Sequence, residues 1–449
     1  MTDFYSNDMV LEDGSRIAVI GGGPSGSFFT YFAFELAERY GLDINVDIFE
    51  AKDFTCDGPK GCNNCGGIVS ESLIQMLSAE GIVLPPDVIR KGIETYTLHL
   101  EQGSTSIEAP VDEQRIASMF RGIGPKGCKP SDQRSFDDYL LELCESKGAT
   151  IIHDRVSDME RTDTGVRIST KSEKGGGDYN LVVGAVGLNK KTFELFRKIN
   201  PSFVFPKTTK THICEINLGK DLINKHFGNS MHVFLLNLPN IKFGALIPKA
   251  EYVTLVLLGA DIDKEIVDSF INSEPVKKCF PPDLDLDSII SCKCYPYINI
   301  KGSISAFDDN VVLIGDSASS KLYKNGIGAA YITAKAAAST AIFQGISKKA
   351  FKKHFHPTCR SLEIDNNIGK FIFMVTTIIQ KTPVLKSAML KMVINEQQKD
   401  RSKRNLSSIL WDTFTGSAPY QDIFIRFLNP GVIISLVGYT VRSIFKKSN

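Results

Sequence analysis

The sequence predicts an α/β protein. Short apolar strands each end in glycine, the first glycine turn opens a helix that leads to a second strand, and similar strands recur late in the chain. Arg16-Ile17-Ala18-Val19-Ile20 reads as a buried parallel strand, because it is short, apolar and runs into Gly21-Gly22-Gly23-Pro24-Ser25-Gly26. From Ser25 to about Tyr40, Phe28, Phe29, Phe32 and Leu36 fall at near-helical spacing, and Asn45 to Phe49 forms a second strand ending at Glu50. Leu181 to Ala185 is another apolar strand before Val186-Gly187. Asn310 to Ile314 runs into Gly315-Asp316, and an alanine-rich helix follows from about Gly328 to Phe343. The first lobe is therefore expected to be discontinuous, over 14–95, 112–195 and 290–347. Strand-like alternation at His212 to Leu218 and Tyr252 to Leu258 predicts an antiparallel sheet in a second lobe, over 96–111 and 196–289. The region 348–449 reads as helical, with a basic stretch at Lys399-Asp400-Arg401-Ser402-Lys403-Arg404. Gly175-Gly176-Gly177 reads as a hairpin turn or loop.

The first turn fits G-x-G-x-x-G inside a strand–turn–helix–strand unit, the pattern of a Rossmann-type dinucleotide site. Gly21 permits the tight turn, Gly23 lets a pyrophosphate approach the backbone, and Gly26 lets the helix pack on the sheet. The helix start adds amide donors and the positive end of a dipole. Glu50 stands where an acid bonds the adenosine ribose. The second half of the chain turns the reading from NAD to FAD. Val311-Val312-Leu313-Ile314-Gly315-Asp316 ends in an acid able to bond a ribityl chain, and Asn325-Gly326-Ile327-Gly328 opens a helix able to stabilise negative charge on a reduced flavin. The candidate cofactor residues here are Gly21, Gly23, Pro24, Ser25, Gly26, Glu50, Asp316, Gly326, Ile327 and Gly328.

Composition bounds the remaining readings. A formal net charge of +1 gives no electrostatic case for nucleic acid. Ten cysteines in a chain of 449 residues, behind an acidic start with no apolar core of a signal peptide, are expected to be mostly free thiols in a reducing cytosol. No apolar run reaches the length of a spanning helix. The expected location is cytoplasmic, with peripheral attachment to the cytoplasmic membrane left open.

With these residues in hand, the chain resembles the geranylgeranyl reductase family, within the p-hydroxybenzoate hydroxylase-like group of FAD enzymes. The resemblance covers roughly Arg16 to Phe343. It rests on the dinucleotide turn, on Arg134-Ser135-Phe136-Asp137-Asp138-Tyr139-Leu140, on Val183-Gly184-Ala185-Val186-Gly187, on Gly315-Asp316, and on Cys65-Gly66-Gly67. It implies that Arg134 contacts FAD, that Cys65, Gly66 and Gly67 lie beside the isoalloxazine ring, and that the second lobe holds a tunnel for a prenyl chain. The implied activity is reduction of carbon–carbon double bonds in a polyprenyl lipid. Reduced flavin would deliver hydride from N5, and Cys65 would serve as a positioning or proton-relay group. No second dinucleotide turn is evident, so NAD(P)H would bind transiently or a ferredoxin-like protein would supply electrons. One departure stands out. The family's Tyr-x-Trp-x-Phe-Pro stretch is matched only by Phe243-Gly244-Ala245-Leu246-Ile247-Pro248, and the single tryptophan, Trp411, excludes the Trp-x-Trp-x-Ile-Pro form of flavin halogenases.

Other readings stay open beside this one. The same fold supports a flavin monooxygenase, and the loop carrying Cys56, Cys62 and Cys65 suits a membrane-associated electron-transfer flavoprotein. Cys65 can be a lone thiol near flavin, one half of a thiol–disulfide pair, or a metal ligand. A metal site would have to be assembled from Cys56, Cys62, Cys65 and Cys128, and none is expected. Cys292 and Cys294 read as strand packing. His354 and His356 near Cys359 read as surface residues, since positions two apart do not share a helix face. Pro430 to Phe445, followed by Lys446 and Lys447, is apolar but too short to cross a bilayer core; it suits either a docked helix or one lying in a membrane interface.

Overall fold

The computed structural model describes residues 9–111, 115–128, 133–173 and 175–445. Lys446 and Lys447, expected to flank the last apolar helix, lie outside the described residues. The chain builds two main sheets and a helical C-terminal region, in the α/β class expected.

The first sheet runs in the order Phe307–Asp308, Val311–Leu313, Leu181–Gly184, Ser15–Ile20, Ile44–Phe49 and Thr150–Ile152. All its neighbours are parallel except the edge strand Phe307–Asp308. Ile17, Ala18, Val19, Val182, Val183 and Val312 are wholly buried, as expected of strands covered on both faces. Three backbone bonds tie the strand ends together: Gly21 N to Phe49 O at 2.9 Å, Ala185 N to Ile20 O at 2.9 Å, and Ile314 N to Gly184 O at 3.0 Å. The carboxyl ends of four strands thus converge on one crevice, the place where open parallel sheets bind ligands.

Helix Pro24–Tyr40 leaves this crevice and packs along helix Gly326–Phe343. The alanines make that contact close: Ala334, Ala337 and Ala338 are wholly buried, and the Tyr331 ring meets Phe28 and Phe32 edge-on at 5.9 and 5.4 Å. These helices start a residue or two before their sequence-based limits, with Pro24 at the first turn where a missing N–H costs nothing.

The second sheet has seven strands: Ile290–Cys294, His212–Asn217, Tyr252–Gly259, Ile241–Lys249, Ser230–Phe234, Thr95–Leu100 and Gly103–Glu108. Its pairs are antiparallel apart from Ser230–Phe234 beside Thr95–Leu100. Strand Ile290–Cys294 sits on the edge of this sheet, so the chain rejoins the parallel sheet only at Phe307. The triple glycine lies where Val166–Thr170 pairs back on Gly176–Tyr179.

Helices His356–Lys381, Pro383–Gln397, Asn405–Thr415, Tyr420–Phe427 and Pro430–Phe445 form the last region. It is anchored by Trp411, which is wholly buried, stacks on Tyr96 at 5.6 Å and donates Nε1–H to Glu71 at 2.8 Å. No single described helix is long and apolar enough to cross a membrane.

Candidate active site

A cavity of about 790 Å³ begins at the glycine turn and continues beneath the seven-stranded sheet. Its first end is formed by Gly21, Gly23, Pro24, Ser25 and Glu50. Its middle is formed by Cys65, Gly66, Gly67, Asp316, Gly326 and Ile327, and its far wall by Met231, Val233, Phe243, Ala245, Ile247 and Val256. The apolar wall follows from strand alternation: Met231 and Val233, or Phe243, Ala245 and Ile247, project from one face of the sheet.

The turn is built by steric necessity. Gly21 has φ +109°, and a Cβ there would lie 2.4 Å from the Ala185 carbonyl oxygen. A Cβ on Gly26 would lie 1.9 Å from the Gly21 carbonyl oxygen, so this glycine sets how closely the helix approaches the turn. Gly23 faces the cavity, with Arg121 Nη2 3.0 Å from where its Cβ would be. Gly315, at φ +61°, admits no side chain either, since Ser25 Oγ occupies the space at 1.9 Å. The strand that ends in Gly315-Asp316 is therefore locked against the start of the dinucleotide helix.

Glu50 accepts from Gly22 N and Lys52 N, both at 2.8 Å, and so fixes the turn while bordering the cavity. Burial raises its carboxyl above the ordinary range, against those two amides. Burial likewise raises Asp316, with Ser320 and Arg121 opposing. Lys52, Arg121, Arg155 and Lys321 line the same space, one more charged group than the acids Glu50, Asp154 and Asp316; Lys324 lines it too, but burial lowers it to about 7. That balance suits an anionic diphosphate.

Arg134, expected at the cofactor, is not among the cavity-lining residues. Its guanidinium pairs with Asp87 at 2.7 Å and with Glu142, and it lies over the Tyr139 ring at 5.3 Å. Arg121, like Arg155, does line the cavity. It grips Asp137 through Nε at 2.9 Å and Nη2 at 2.7 Å, and Asn63 also donates to Asp137, at 2.5 Å. Burial disfavours the Arg121 charge, but the Asp137 carboxylate outweighs it and holds the guanidinium firmly protonated. The helix that begins Ser135-Phe136-Asp137 thus reaches the site through its aspartate. Sequence reading missed Arg121, because no spacing rule joins it to a partner sixteen positions away.

The cysteine loop lies beside the middle of the cavity. Cys65 Sγ accepts from Gly67 N at 3.4 Å, and Cys65 borders the cavity; Cys56, Cys62 and Cys128 do not. All ten cysteines are free thiols. A Cβ on Gly67 would meet the Met119 carbonyl oxygen at 2.0 Å and Lys249 Nζ at 2.9 Å. Lys249 is 0% exposed, lies 3.7 Å from Glu215 and sits over the Phe120 ring at 4.2 Å. Burial pulls the lysine down and pushes Glu215 up, both toward neutrality.

The loop opening the alanine-rich helix is braced by the C-terminal region. Asn325 caps the helix by accepting from Gly328 N at 2.8 Å, so that amide is already engaged, and Gly326 and Ile327 are the helix-start residues at the cavity. Asn325 also donates to Gly416 O at 2.9 Å, and Lys324 to Asp412 O at 2.9 Å and Ala418 O at 3.2 Å. Asn366 bonds Leu322 N at 2.8 Å and Ser320 O at 2.6 Å. Burial, with Lys321 nearby, lowers Lys324 to about 7. The remaining candidates fall away from the cavity: His354 and His356 are exposed, and Cys292 and Cys294 are half-buried on the sheet edge.

No family model matches the sequence, and no curated protein matches it. Solved structures match the fold. A geranylgeranyl bacteriochlorophyll reductase-like protein from Thermoplasma acidophilum has a TM-score of 0.63 at 15% identity, over 95% of this chain and 100% of its own. A p-nitrophenol 4-monooxygenase from Pseudomonas putida has a TM-score of 0.59 at 12% identity, over 91% of this chain and 100% of its own. A flavin-dependent brominase has a TM-score of 0.58 at 13% identity, over 84% and 93%. At these identities the shared property is the fold.

Proposed function

We propose that the chain is an FAD-dependent oxidoreductase that reduces carbon–carbon double bonds of a polyprenyl lipid. The observation that carries this reading is the continuity of the cavity, from a glycine turn fit for a diphosphate to a wall of aliphatic and aromatic side chains. Gly21, Gly23, Pro24 and Ser25 would hold the diphosphate, Glu50 the adenosine ribose and Asp316 the ribityl chain, with Gly326 and Ile327 at the ring end. Arg121, beside Gly23, would supply a fixed positive charge at the diphosphate end. FAD, when bound, supplies hydride equivalents for a carbon centre. The chain's own residues exclude water through Val233, Phe243, Ile247 and Val256, and orient an apolar chain by shape. Cys65 is the group that borders the cavity and carries an S–H able to move a proton. The designation of the Thermoplasma protein as geranylgeranyl bacteriochlorophyll reductase-like agrees with this reading, whereas the p-nitrophenol 4-monooxygenase keeps oxygen chemistry as the rival. The electron donor is proposed to be transiently bound NAD(P)H or a small redox protein.

Stopped-flow spectroscopy separates the two. The photoreduced protein is expected to be reoxidised by a geranylgeranyl lipid without oxygen, at least about tenfold faster than in buffer alone. Anaerobic stability of the reduced flavin in that lipid would overturn the reductase reading, and rapid NAD(P)H-coupled oxygen uptake would then support the monooxygenase.

A lipid surface is the proposed source of substrate. Phe371, Met374 and Ile378 on helix His356–Lys381 are exposed, as are Ile425, Ile434 and Val437 on the last two helices and Leu428 between them, with Ile434 70% exposed. The Phe371 ring meets Phe424 at 5.6 Å, joining helix Tyr420–Phe427 to helix His356–Lys381. On the inward side of the same helix, Phe373 is buried and stacks on the cavity residue Phe243 at 6.0 Å. The protein is expected to sediment with phosphatidylcholine–phosphatidylglycerol vesicles. Ile434→Glu with Val437→Glu should weaken this about tenfold or more. Unchanged sedimentation of that double variant would rule out the last helix as the membrane contact.

A further inference from the structure

A second site lies on the opposite face of the seven-stranded sheet. Met231 and Val233 face the cavity, so His232 and Phe234, between and beyond them on the same strand, face away from it. His99, on the neighbouring strand, shares that back face and stacks on Phe234 at 4.5 Å. Cys279 follows the short helix Glu274–Lys277 and packs with Phe234, Phe270 and Val276 in the core behind the sheet. His99 and His232 are each 7% exposed and Cys279 is 5% exposed.

Three donor atoms meet there, one from each residue. His99 Nε2 lies 3.1 Å from His232 Nδ1, His232 Nδ1 lies 3.3 Å from Cys279 Sγ, and Cys279 Sγ lies 3.8 Å from His99 Nε2. A hydrogen-bonded chain would need only two of these contacts; the third closes a triangle around a single point. Tetrahedral zinc, with metal–nitrogen bonds of about 2.0–2.1 Å and metal–sulfur of about 2.3 Å, holds such atoms about 3.3–3.6 Å apart. The triangle brackets that spacing. His99 Nδ1 contacts Ser104 Oγ at 2.7 Å, which fixes the ring and turns Nε2 toward the common point, the usual support for a metal-bound imidazole. Among the described residues this is the one group of three or more histidine, cysteine or carboxylate side chains whose ligand atoms all lie within 4.8 Å of one another.

We propose that His99, His232 and Cys279 bind a zinc ion. Two neutral imidazoles and one thiolate suit a borderline-soft cation, and three protein ligands leave a fourth position for water. Binding releases the Cys279 thiol proton to solvent, with no change of oxidation state. The ion would join two neighbouring strands to the helical layer behind them, on the face of the sheet turned away from the cavity.

The test is metal analysis of the full chain, purified without chelator, followed by zinc titration of chelator-treated protein. About one zinc per chain is expected, retained when Cys62 and Cys65 are both changed to Ser and lost in Cys279→Ser. Ser104→Ala, a change outside the ligand set, should weaken zinc uptake about 10–100-fold while leaving the flavin spectrum intact. Cobalt(II) in the unmodified protein should show a thiolate charge-transfer band, which reads the Cys279 ligand even if Cys279→Ser does not fold. The proposal is overturned by protein that neither contains nor takes up zinc. It is equally overturned by zinc that leaves with Cys62 and Cys65 but stays in Cys279→Ser.

Discussion

Gly26→Val is expected to purify with little or no bound flavin. A Cβ at this position would lie 1.9 Å from the Gly21 carbonyl oxygen and 3.0 Å from Val19 Cγ1, both parts of the turn and strand beneath it. Backbone cannot yield as a flexible side chain does, so the helix must lift off the turn. Overpacking of this kind costs about 1–3 kcal/mol, or roughly 5–150-fold in an affinity that depends on the turn's shape. Gly26→Ala should show the smaller end of the effect. Ala37→Gly, near the far end of the same helix, is the control. It costs about 1 kcal/mol of helix stability but adds no atom near the turn, so its flavin content should be unchanged. The ratio of flavin to protein absorbance in purified samples decides this. Full occupancy in Gly26→Val would mean that the turn does not hold the cofactor.

Arg121→Met is expected to have the other large effect, and Arg134→Met almost none. Asp137 is 0% exposed and Arg121 19% exposed, so removing the guanidinium leaves a buried carboxylate with Asn63 as its remaining side-chain donor. Breaking a buried pair from one side costs about 3–5 kcal/mol. Arg134 instead bridges Asp87 and Glu142 at a much more exposed position, where such pairs contribute about 0–1 kcal/mol. Urea unfolding of the two variants should separate them by several-fold in lost stability, and flavin should weaken only in Arg121→Met. Arg121→Lys should recover part of the loss, since it restores the charge but not the two-pronged grip. Equal behaviour of the two arginines would return Arg134 to the site.

What the chain revealed in advance was its local chemistry. Gly21, Gly23, Pro24, Ser25, Glu50, Cys65, Asp316 and Gly326 belong to short segments where strand, turn and helix succeed one another, and all of them border the cavity. Their places in strand, turn and helix follow from neighbours a few residues away, except that Cys65 was singled out by the family resemblance. The parts that stayed hidden depend on contacts between distant segments. Arg121 reaches Asp137 across a loop, whereas the family resemblance had implied Arg134. The C-terminal helices read as a separate region, yet Asn366, Asp412, Gly416 and Ala418 hold the loop from Ser320 to Asn325. Trp411 looked isolated and proves to be the anchor of that region on Tyr96. His99, His232 and Cys279 are 133 and 47 positions apart, and only the pairing of strand Thr95–Leu100 with strand Ser230–Phe234 brings the first two together.

The most direct measurement is the product of one anaerobic turnover. The protein, with its flavin photoreduced, is mixed with a geranylgeranyl lipid in the absence of oxygen, and the lipid is then weighed by mass spectrometry. Double-bond reduction predicts a lipid heavier by two hydrogens for each flavin reoxidised, and no incorporated oxygen. Unchanged lipid under these conditions, with an oxygenated product appearing only when air is admitted, would contradict it.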